Sequence, residues 1–220
     1  MEKITKENVS DHVENLLEIA ESIELGKVTI LTGINGAGKS FIRKLSPYKL
    51  YEKKTGEKYT DQKTFVSQTS MEQRTGSNAD WGALSGAMRD IGWTPTSTET
   101  LGKITRLLSD EFKDKYIVID EPEIGMGEET VLGLVNYING RVASLREKFD
   151  FMGMLIITHS RLMVEKLNSD TFLSIEGMTK EEWLTRELVP TDLNELEERS
   201  LIIFREIQNR INKKEKQNNS

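Results

Sequence analysis

The segment 33–40 carries the pattern G-x-x-x-x-G-K-[ST] and constrains the fold more than any other part of this chain. An apolar, β-branched run precedes it and residues at helical spacing follow it, so the context is strand, loop and helix. In that context backbone N–H groups close around phosphate oxygens at a helix N-terminus. Lys39 adds a cation over the β- and γ-phosphates, and Ser40 can hold Mg²⁺. The pattern predicts a nucleoside triphosphate site made of Gly33, Ile34, Asn35, Gly36, Ala37, Gly38, Lys39, Ser40 and Phe41.

Composition bounds the class of protein. The 220 residues fit one domain with a small helical appendage, and the absence of cysteine excludes disulfides, Cys-based zinc sites and thiol catalysis. The charged N-terminus has no apolar stretch like that of a signal peptide, and the longest apolar run, 151–157, is too short to span a bilayer. We therefore expect a soluble, cytoplasmic protein. A formal net charge of −6 disfavours a broad electrostatic grip on nucleic acid.

Apolar periodicity predicts an alternation of strands and helices. The expected strands are 28–31, one near 65–66, 116–119, 154–157 and 171–175. The expected helices are one to residue 23 capped by Ser10 or Asp11, 81–91, 98–108, 128–149, 162–167 and 193–211. This alternation predicts an α/β fold with a largely parallel sheet flanked by helices, and with the phosphate loop at the carboxyl end of one strand.

Two acids follow the buried strand at 116–119. In this Walker B arrangement the strand delivers Asp120 to the Mg²⁺ shell, and Glu121 polarises the water that attacks the γ-phosphate. The alternative is that Asp-Glu-Pro only begins a polar loop.

The next apolar strand ends in Thr158-His159-Ser160. A histidine at this edge, beside the acidic pair, can hydrogen-bond the γ-phosphate and the attacking water. A structural or solvated role for His159 is the alternative, and Ser160 is expected to cap the following helix.

Residues 35–40, Ile-Asp-Glu-Pro at 119–122 and Ile-Thr-His at 157–159 together resemble the ATP-binding domains of the ABC superfamily. The resemblance covers residues 26–176 and implies a P-loop NTPase fold with ATP and Mg²⁺ as cofactors. It also implies that Gln68, after a strand, reaches Mg²⁺ and the attacking water. The expected organisation is an ATPase domain at 1–176, a helical extension packed on it at 177–212, and a flexible polar tail at 213–220.

The family's signature segment, Leu-Ser-Gly-Gly-Gln, has no clean copy in this chain. Leu84-Ser85-Gly86 is closest by letters, whereas Ser97 stands at a more suitable distance before the Walker B strand. We prefer Ser97, whose hydroxyl at a helix N-terminus can bind the γ-phosphate of ATP held by a second copy; simple capping is the alternative. The family's D-loop aspartate would fall at Gly127, which weakens the expected contact across a dimer.

The resemblance implies Mg-dependent ATP hydrolysis by a compact ATPase whose two copies sandwich two ATP molecules. Glu-Pro-Glu-Ile-Gly at 121–125 is similar to the heads of DNA-repair and chromosome-maintenance ATPases, which favours an ATP-driven clamp on nucleic acid or a protein partner. A non-catalytic ATP-binding switch or adaptor, and an energising subunit of a membrane complex, are the alternatives. Basic residues and tyrosines alternate over 43–63, and they form either a solvated loop or a surface for nucleic acid.

Overall fold

A computed structural model describes residues 4–5, 7–58, 65–69, 96–190 and 192–218, and for 96–99 and 214–218 it describes the backbone alone. The helix predicted over 81–91, the break expected after it and the Leu84-Ser85-Gly86 segment lie outside these residues. Within the described ranges no helix combines the length and the apolar character that a membrane crossing requires.

Five short strands form one parallel sheet in the order β2-β3-β4-β1-β5. They are β1 (Val28–Thr32), β2 (Val66–Thr69), β3 (Tyr116–Asp120), β4 (Met154–Ile157) and β5 (Thr171–Ser174). In the parallel pairing of β2, β3 and β4, Val118 lies opposite both Gln68 and Leu155. Every residue of β1 and β4 is buried, as is typical of strands covered on both faces. The sheet confirms the predicted α/β fold.

Seven helices accompany the sheet in the described part of the chain. They are α1 (Val9–Ser22), α2 (Lys39–Thr55), α3 (Thr96–Leu107), α4 (Glu128–Lys148), α5 (Arg161–Lys166), α6 (Lys180–Thr185) and α7 (Leu193–Asn218). The spacing of apolar residues predicted all of these except α6. As expected, the Ser160 hydroxyl caps α5 by accepting a hydrogen bond from the Met163 N–H.

Two helix boundaries and one whole helix, α6, differ from the sequence-based prediction. Helix α1 begins at Val9, so Ser10 lies in its first turn and is not its cap. Helix α6 begins with a capping box between Thr179 and Glu182, a local signal that the apolar pattern does not contain. Helix α7 continues to Asn218, beyond the end near residue 211 that the sequence predicts.

The chain forms two compact units, each made of separate segments. The first unit contains the described residues of Met1–Glu24, Leu31–Lys58 and Phe172–Ser220, and the second contains those of Leu25–Ile30 and Tyr59–Thr171. These segments do not follow the domain organisation expected from the sequence, which stays a prediction.

The first unit has a helical core in which α1 packs on α2 and α7. Leu16 and Ala20 of α1 are fully buried, as is Ile42 of α2. Helix α6 contributes Trp183, which is 1% exposed and lies between the Phe172 ring, edge-on at 6.3 Å, and the Arg186 guanidinium, 3.8 Å from the ring centre. Burial of a side chain of this size is worth about 2–3 kcal/mol, so Trp183 anchors the segment after β5.

The second unit is built on β3 and β4, with the buried face of α4 among its core residues. Arg141 of α4 donates two hydrogen bonds, of 2.9 and 2.7 Å, to the Leu108 carbonyl and one of 2.7 Å to Asp110. This guanidinium satisfies a carbonyl just beyond the end of α3, and its hydrogen bond holds the pKa of Asp110 below the usual range.

Asp170 joins the start of β1 to the segment that leads into β5. Its carboxylate accepts a hydrogen bond of 2.7 Å from the Val28 N–H and pairs with the Arg146 guanidinium. Burial raises the pKa of Asp170, but the hydrogen bonds from Val28 and Arg146 outweigh burial and hold the pKa below its ordinary value.

We expect Asp170→Asn to lower the free energy of unfolding by about 1–2 kcal/mol at neutral pH, because these hydrogen bonds lose a charged acceptor. A pKa depressed in the folded state contributes stability above the unfolded value of about 3.9, and this contribution disappears as the pH falls through the folded value. Urea unfolding at neutral pH and near pH 3 should therefore show a difference that shrinks in acid. The exposed Asp150→Asn is the control, and an equal effect of Asp170→Asn at both pH values would contradict the assignment.

Candidate functional site

The loop between β1 and α2, residues 33–38, is bent by glycines. Gly36 and Gly38 have φ angles of +72° and +108°, and Gly38 is the N-cap residue of α2. Side chains rarely adopt this region, so glycine is required at both turns. The N–H groups of Lys39 and Ser40 belong to the first turn of α2, where no preceding turn of the helix can accept their hydrogen bonds. The loop thus has the donors and the positive helix end that an anion needs.

The Lys39 side chain is buried and lies against its own loop. The residue is 8% exposed, and its Nζ donates hydrogen bonds of 2.9 Å to the Gly33 carbonyl and 3.0 Å to the Ile34 carbonyl. A buried ammonium group is costly unless anions or several acceptors surround it. The geometry therefore places a buried cation against the carbonyl groups at the start of the loop.

Helix α1 contacts the loop through His12 and Leu16. The carbonyl of Ala37 accepts a hydrogen bond of 2.9 Å from Nε2 of His12. A Cβ atom at Gly38 would come within 2.5 Å of Cδ1 of Leu16, which shows how closely α1 approaches the backbone. These contacts orient the carbonyl of Ala37 toward α1.

Helix α7 contacts the loop at Asn35 and Gly36. The Asn35 carbonyl accepts a long hydrogen bond of 3.4 Å from Arg199. A Cβ atom at Gly36 would meet Oγ of Ser200 at 2.5 Å and Cδ1 of Leu196 at 2.8 Å. Glycine is therefore required at position 36 for two reasons: the φ angle is positive, and α7 leaves no room for a Cβ atom.

Glu176, just beyond β5, holds the start of the loop. Its Oε1 accepts a hydrogen bond of 2.6 Å from the Ile34 N–H, and its Oε2 accepts one of 2.9 Å from the Ser174 hydroxyl. The Ile34 amide, which the sequence predicts to bind phosphate, thus donates to a protein carboxylate. No local sequence pattern marks Glu176, because Ile34 is 142 residues away along the chain.

The remaining predicted residues of the phosphate loop lie at the start of α2. Ser40 is exposed in the first turn, and Phe41 is partly buried with its N–H donating 2.9 Å to the Gly38 carbonyl. The exposed Ser40 hydroxyl is placed where a ligand can reach it.

In the second unit, Glu121 and His159 lie side by side. Glu121 follows β3 and has a φ of +50°, the only positive φ among the described residues other than glycine. Its N–H donates 2.8 Å to the Ile157 carbonyl, and its Oε1 lies 3.3 Å from Nε2 of His159. The distance between these two atoms is short enough for an ion pair, but they lack hydrogen-bond geometry. The buried Nε2 therefore has no hydrogen-bond partner in the described part of the chain. Backbone strain of this kind, worth about 1–3 kcal/mol, gathers at functional sites.

Asp120 is the last residue of β3 and is partly buried opposite Ile157 of β4. Among the described residues no three His, Asp or Glu side chains converge closely enough to hold a metal ion. The Asp120 carboxylate is nevertheless a hard oxygen donor of the type that suits Mg²⁺, which usually keeps several waters and takes few protein ligands.

Glu123 positions the segment that contains His159. Its Oε1 accepts three hydrogen bonds: 2.8 Å from the Thr158 hydroxyl, 2.8 Å from the His159 N–H and 3.2 Å from the Ser160 N–H. The sequence patterns assign no role to Glu123, although its place in Asp-Glu-Pro-Glu is a local signal. One carboxylate oxygen thus fixes the backbone around the predicted catalytic histidine.

Gln68 and Ser97 were predicted to lie near nucleotide. Gln68 is the third residue of β2 and is exposed, so it lies within the strand and not after it. Ser97 lies in the first turn of α3, which begins at Thr96, and its side chain is outside the described residues.

The basic stretch over 43–63, for which the sequence predicts either a solvated loop or a surface for nucleic acid, is helical up to Thr55. Lys49 forms an ion pair of 2.8 Å with Glu21, the Lys53 ammonium contacts the Glu21 carbonyl, and Arg43 is 5% exposed. Tyr59, Asp61 and Lys63 of this stretch lie outside the described residues. Some residues of the basic stretch therefore connect α2 to α1.

The parallel sheet, with the glycine loop between β1 and α2, is the fold of a P-loop NTPase. No family model and no curated protein matches this sequence. Solved structures that resemble it include C. elegans PCH-2, with 15% identity and a TM-score of 0.35 over 77% of this chain and 42% of that one. Another is the Aeropyrum pernix ORC2 protein in ADPNP–ADP complexes, with 16% identity and a TM-score of 0.34 over 77% and 46%. The chain spans less than half the length of either, and similarity at this level assigns no activity.

Gly36→Ala should lower the free energy of unfolding more than Gly56→Ala, because only the first substitution meets a neighbour. Gly56 has a φ of +73° with nothing within 4 Å of its Cβ position, so it measures the backbone cost alone, about 1 kcal/mol. The contact with Ser200 and Leu196 should add about 1–3 kcal/mol. Chemical denaturation compares the two, and Ser200→Ala should recover part of the loss in the Gly36→Ala protein. Equal losses at both glycines would show that α7 does not lie against the loop.

Glu123→Ala should loosen the backbone at His159, since two N–H groups and a hydroxyl lose their acceptor. We expect a loss of about 2–3 kcal/mol in the free energy of unfolding and at least about tenfold faster amide exchange at His159 and Ser160. Glu123→Gln keeps an acceptor oxygen and should do less. Glu165→Ala, which removes only an exposed pair with Lys166, is the control. Unchanged exchange in Glu123→Ala would refute the positioning role.

Proposed function

We propose that this chain is an ABC-type ATPase that binds and hydrolyses Mg-ATP. The observation that carries the proposal is the glycine loop at the N-terminus of α2, with the Lys39 ammonium buried beside it. Loop amides and a desolvated cation together are the arrangement that holds the phosphates of a nucleoside triphosphate. The loop is also held from outside by α1, α7 and Glu176, so its donors are ordered before a ligand arrives.

Lys39 and the amides of residues 36–40 are assigned to the phosphates, with Ile34 held by Glu176 instead. Ser40 and Asp120 are assigned to Mg²⁺, for which their oxygen atoms are suitable ligands. When bound, the ion would neutralise charge on the phosphate oxygens. Gln68, exposed on β2, is assigned to the Mg²⁺ shell and the water on the ABC resemblance alone.

Glu121 is the proposed general base and His159 the proposed partner of the γ-phosphate. The carboxylate of Glu121 accepts a proton from the attacking water, while the buried Nε2 of His159 donates a hydrogen bond to developing charge on the phosphate. Their separation of 3.3 Å and the three hydrogen bonds that Glu123 accepts around His159 support a positioned pair. General-base catalysis contributes about 10²- to 10⁴-fold to a rate.

The ABC resemblance also implies that two copies close on ATP and open after hydrolysis, with Ser97 acting on the nucleotide of the second copy. The clamp would act on nucleic acid or on a protein partner. A non-catalytic switch, or an energising subunit of a membrane complex, would use the same phosphate loop, and turnover separates the first of these from an ATPase.

Glu121→Gln should bind Mg-ATP as the unmodified chain does and lose at least about 100-fold in phosphate release, because the amide cannot accept the proton. Lys39→Ala should lose nucleotide binding itself. Calorimetric titration with ATP and a phosphate-release assay with and without Mg²⁺ measure both, with the exposed Glu129→Gln as the matched control. Mg-ATP should also raise the mass of Glu121→Gln in light scattering above that of the nucleotide-free protein.

Undiminished turnover in Glu121→Gln would refute the base assignment. ATP binding without hydrolysis by the unmodified chain would favour the switch, and absence of binding would refute the proposal as a whole.

A further inference from the structure

Helix α7 has an apolar strip on its outer side. The strip consists of Leu193, Leu201, Phe204 and Ile211, which are 76%, 46%, 59% and 45% exposed. At 3.6 residues per turn the four positions fall within an arc of about 80°, which also contains the exposed Glu197 and Gln208. Isolated exposed apolar residues are ordinary, but several on one side of one helix mark a contact surface.

The other side of α7 already has its partners within the first unit. Ile203 is 3% exposed, Arg199 contacts the phosphate loop, and Arg210 donates hydrogen bonds of 2.9 Å to the backbone and hydroxyl of Ser10 on α1. The orientation of the helix is therefore fixed from inside. These buried contacts determine which side of α7 faces away from the unit, and the strip is on that side.

The exposed acidic and basic residues of α7 are segregated along the helix, and this arrangement indicates which partner binds the strip. Arg199, Glu206 and Arg210 are partly buried and have partners within the first unit. The exposed charged side chains that the structure describes on α7 are acidic toward its N-terminal end and basic toward its C-terminal end: Glu195, Glu197 and Glu198, then Arg205 and Lys213. Two of these, Glu198 and Arg205, are exposed and flank the same edge of the strip, since seven residues are nearly two full turns.

A second copy of α7 running antiparallel complements this pattern. With the two-fold axis between Leu201 and Phe204, Glu198 lies opposite Arg205 of the second copy, and the same pair repeats across the axis. Leu201 then lies beside Phe204 of the second copy, and Leu193 beside its Ile211. A parallel pairing would instead align each charge with its like, so only the antiparallel one satisfies the charges.

We propose that two copies of this chain associate through the outer strip of α7, antiparallel and without nucleotide. The pairing is isologous, with the same strip buried on both copies and the Glu198–Arg205 pairs determining its direction. It goes beyond the proposed ATPase, because none of the strip residues belongs to the phosphate loop and ATP is not part of the contact.

Charge exchange tests the pairing. Glu198→Arg and Arg205→Glu should each raise the dissociation constant of the dimer about tenfold or more, because each places two like-charge pairs in the symmetric contact. The double variant Glu198→Arg with Arg205→Glu should return it to within about threefold of the original. Phe204→Glu should abolish association, and the exposed Glu147→Arg on α4 is the matched control. Sedimentation equilibrium of the full chain without nucleotide gives the constants, and melting temperatures verify folding.

The unmodified chain should be a dimer in this experiment, and Lys39→Ala should remain one, which separates this pairing from an ATP-dependent clamp. A monomer at every concentration tested would overturn the proposal, as would a dimer that the single variants leave unchanged. If the double variant fails to restore association, the antiparallel direction is wrong. A lower melting temperature of Phe204→Glu with no change in mass would show that the strip is covered from within the same chain, and would also overturn it.

Discussion

The structure of the first unit depends on a short glycine loop whose backbone groups are held by the side chains and helices around it. The Lys39 ammonium binds the carbonyls at the start of the loop, and two helices contact the rest of it. His12 binds the Ala37 carbonyl, Leu16 lies against Gly38, and α7 lies against Gly36. The absence of two Cβ atoms thus permits both the positive φ angles of the loop and the close approach of the helices that hold it.

The second unit uses carboxylates in a different way. Within the four residues after Ile119, Asp120 ends a buried strand, Glu121 occupies a strained backbone position beside His159, and Glu123 fixes the backbone on either side of that histidine. The same functional group therefore serves as proposed metal ligand, proposed base and backbone anchor. The environment of each carboxylate determines its role, because burial, backbone angle and the number of hydrogen-bond donors differ from one carboxylate to the next.

Local patterns predicted most of the architecture. The phosphate loop, the strands β1, β3 and β4 and the helices α4 and α5 lie where periodicity indicated, because each depends on residues close together in the sequence. Glu176 could not be predicted, since its partner Ile34 is 142 residues away. The position of Gln68 inside β2 was missed for the same reason, because the pairing with β3 decides where that strand ends. Helix α6 was missed for another reason. Its capping box can be recognised in the sequence, but the helix is too short to show a period of apolar residues.

The sequence by itself determined the α/β class, the position of the glycine loop between a strand and a helix, and the acids and histidine at the ends of β3 and β4. Each follows from local conformational preference or from the period of apolar residues, which act within a few turns of chain. Only the tertiary structure decided which groups hold the loop, which carboxylate anchors His159 and which side of α7 faces outward. Those outcomes depend on contacts between distant segments, and such contacts leave no periodic trace in the sequence of either partner.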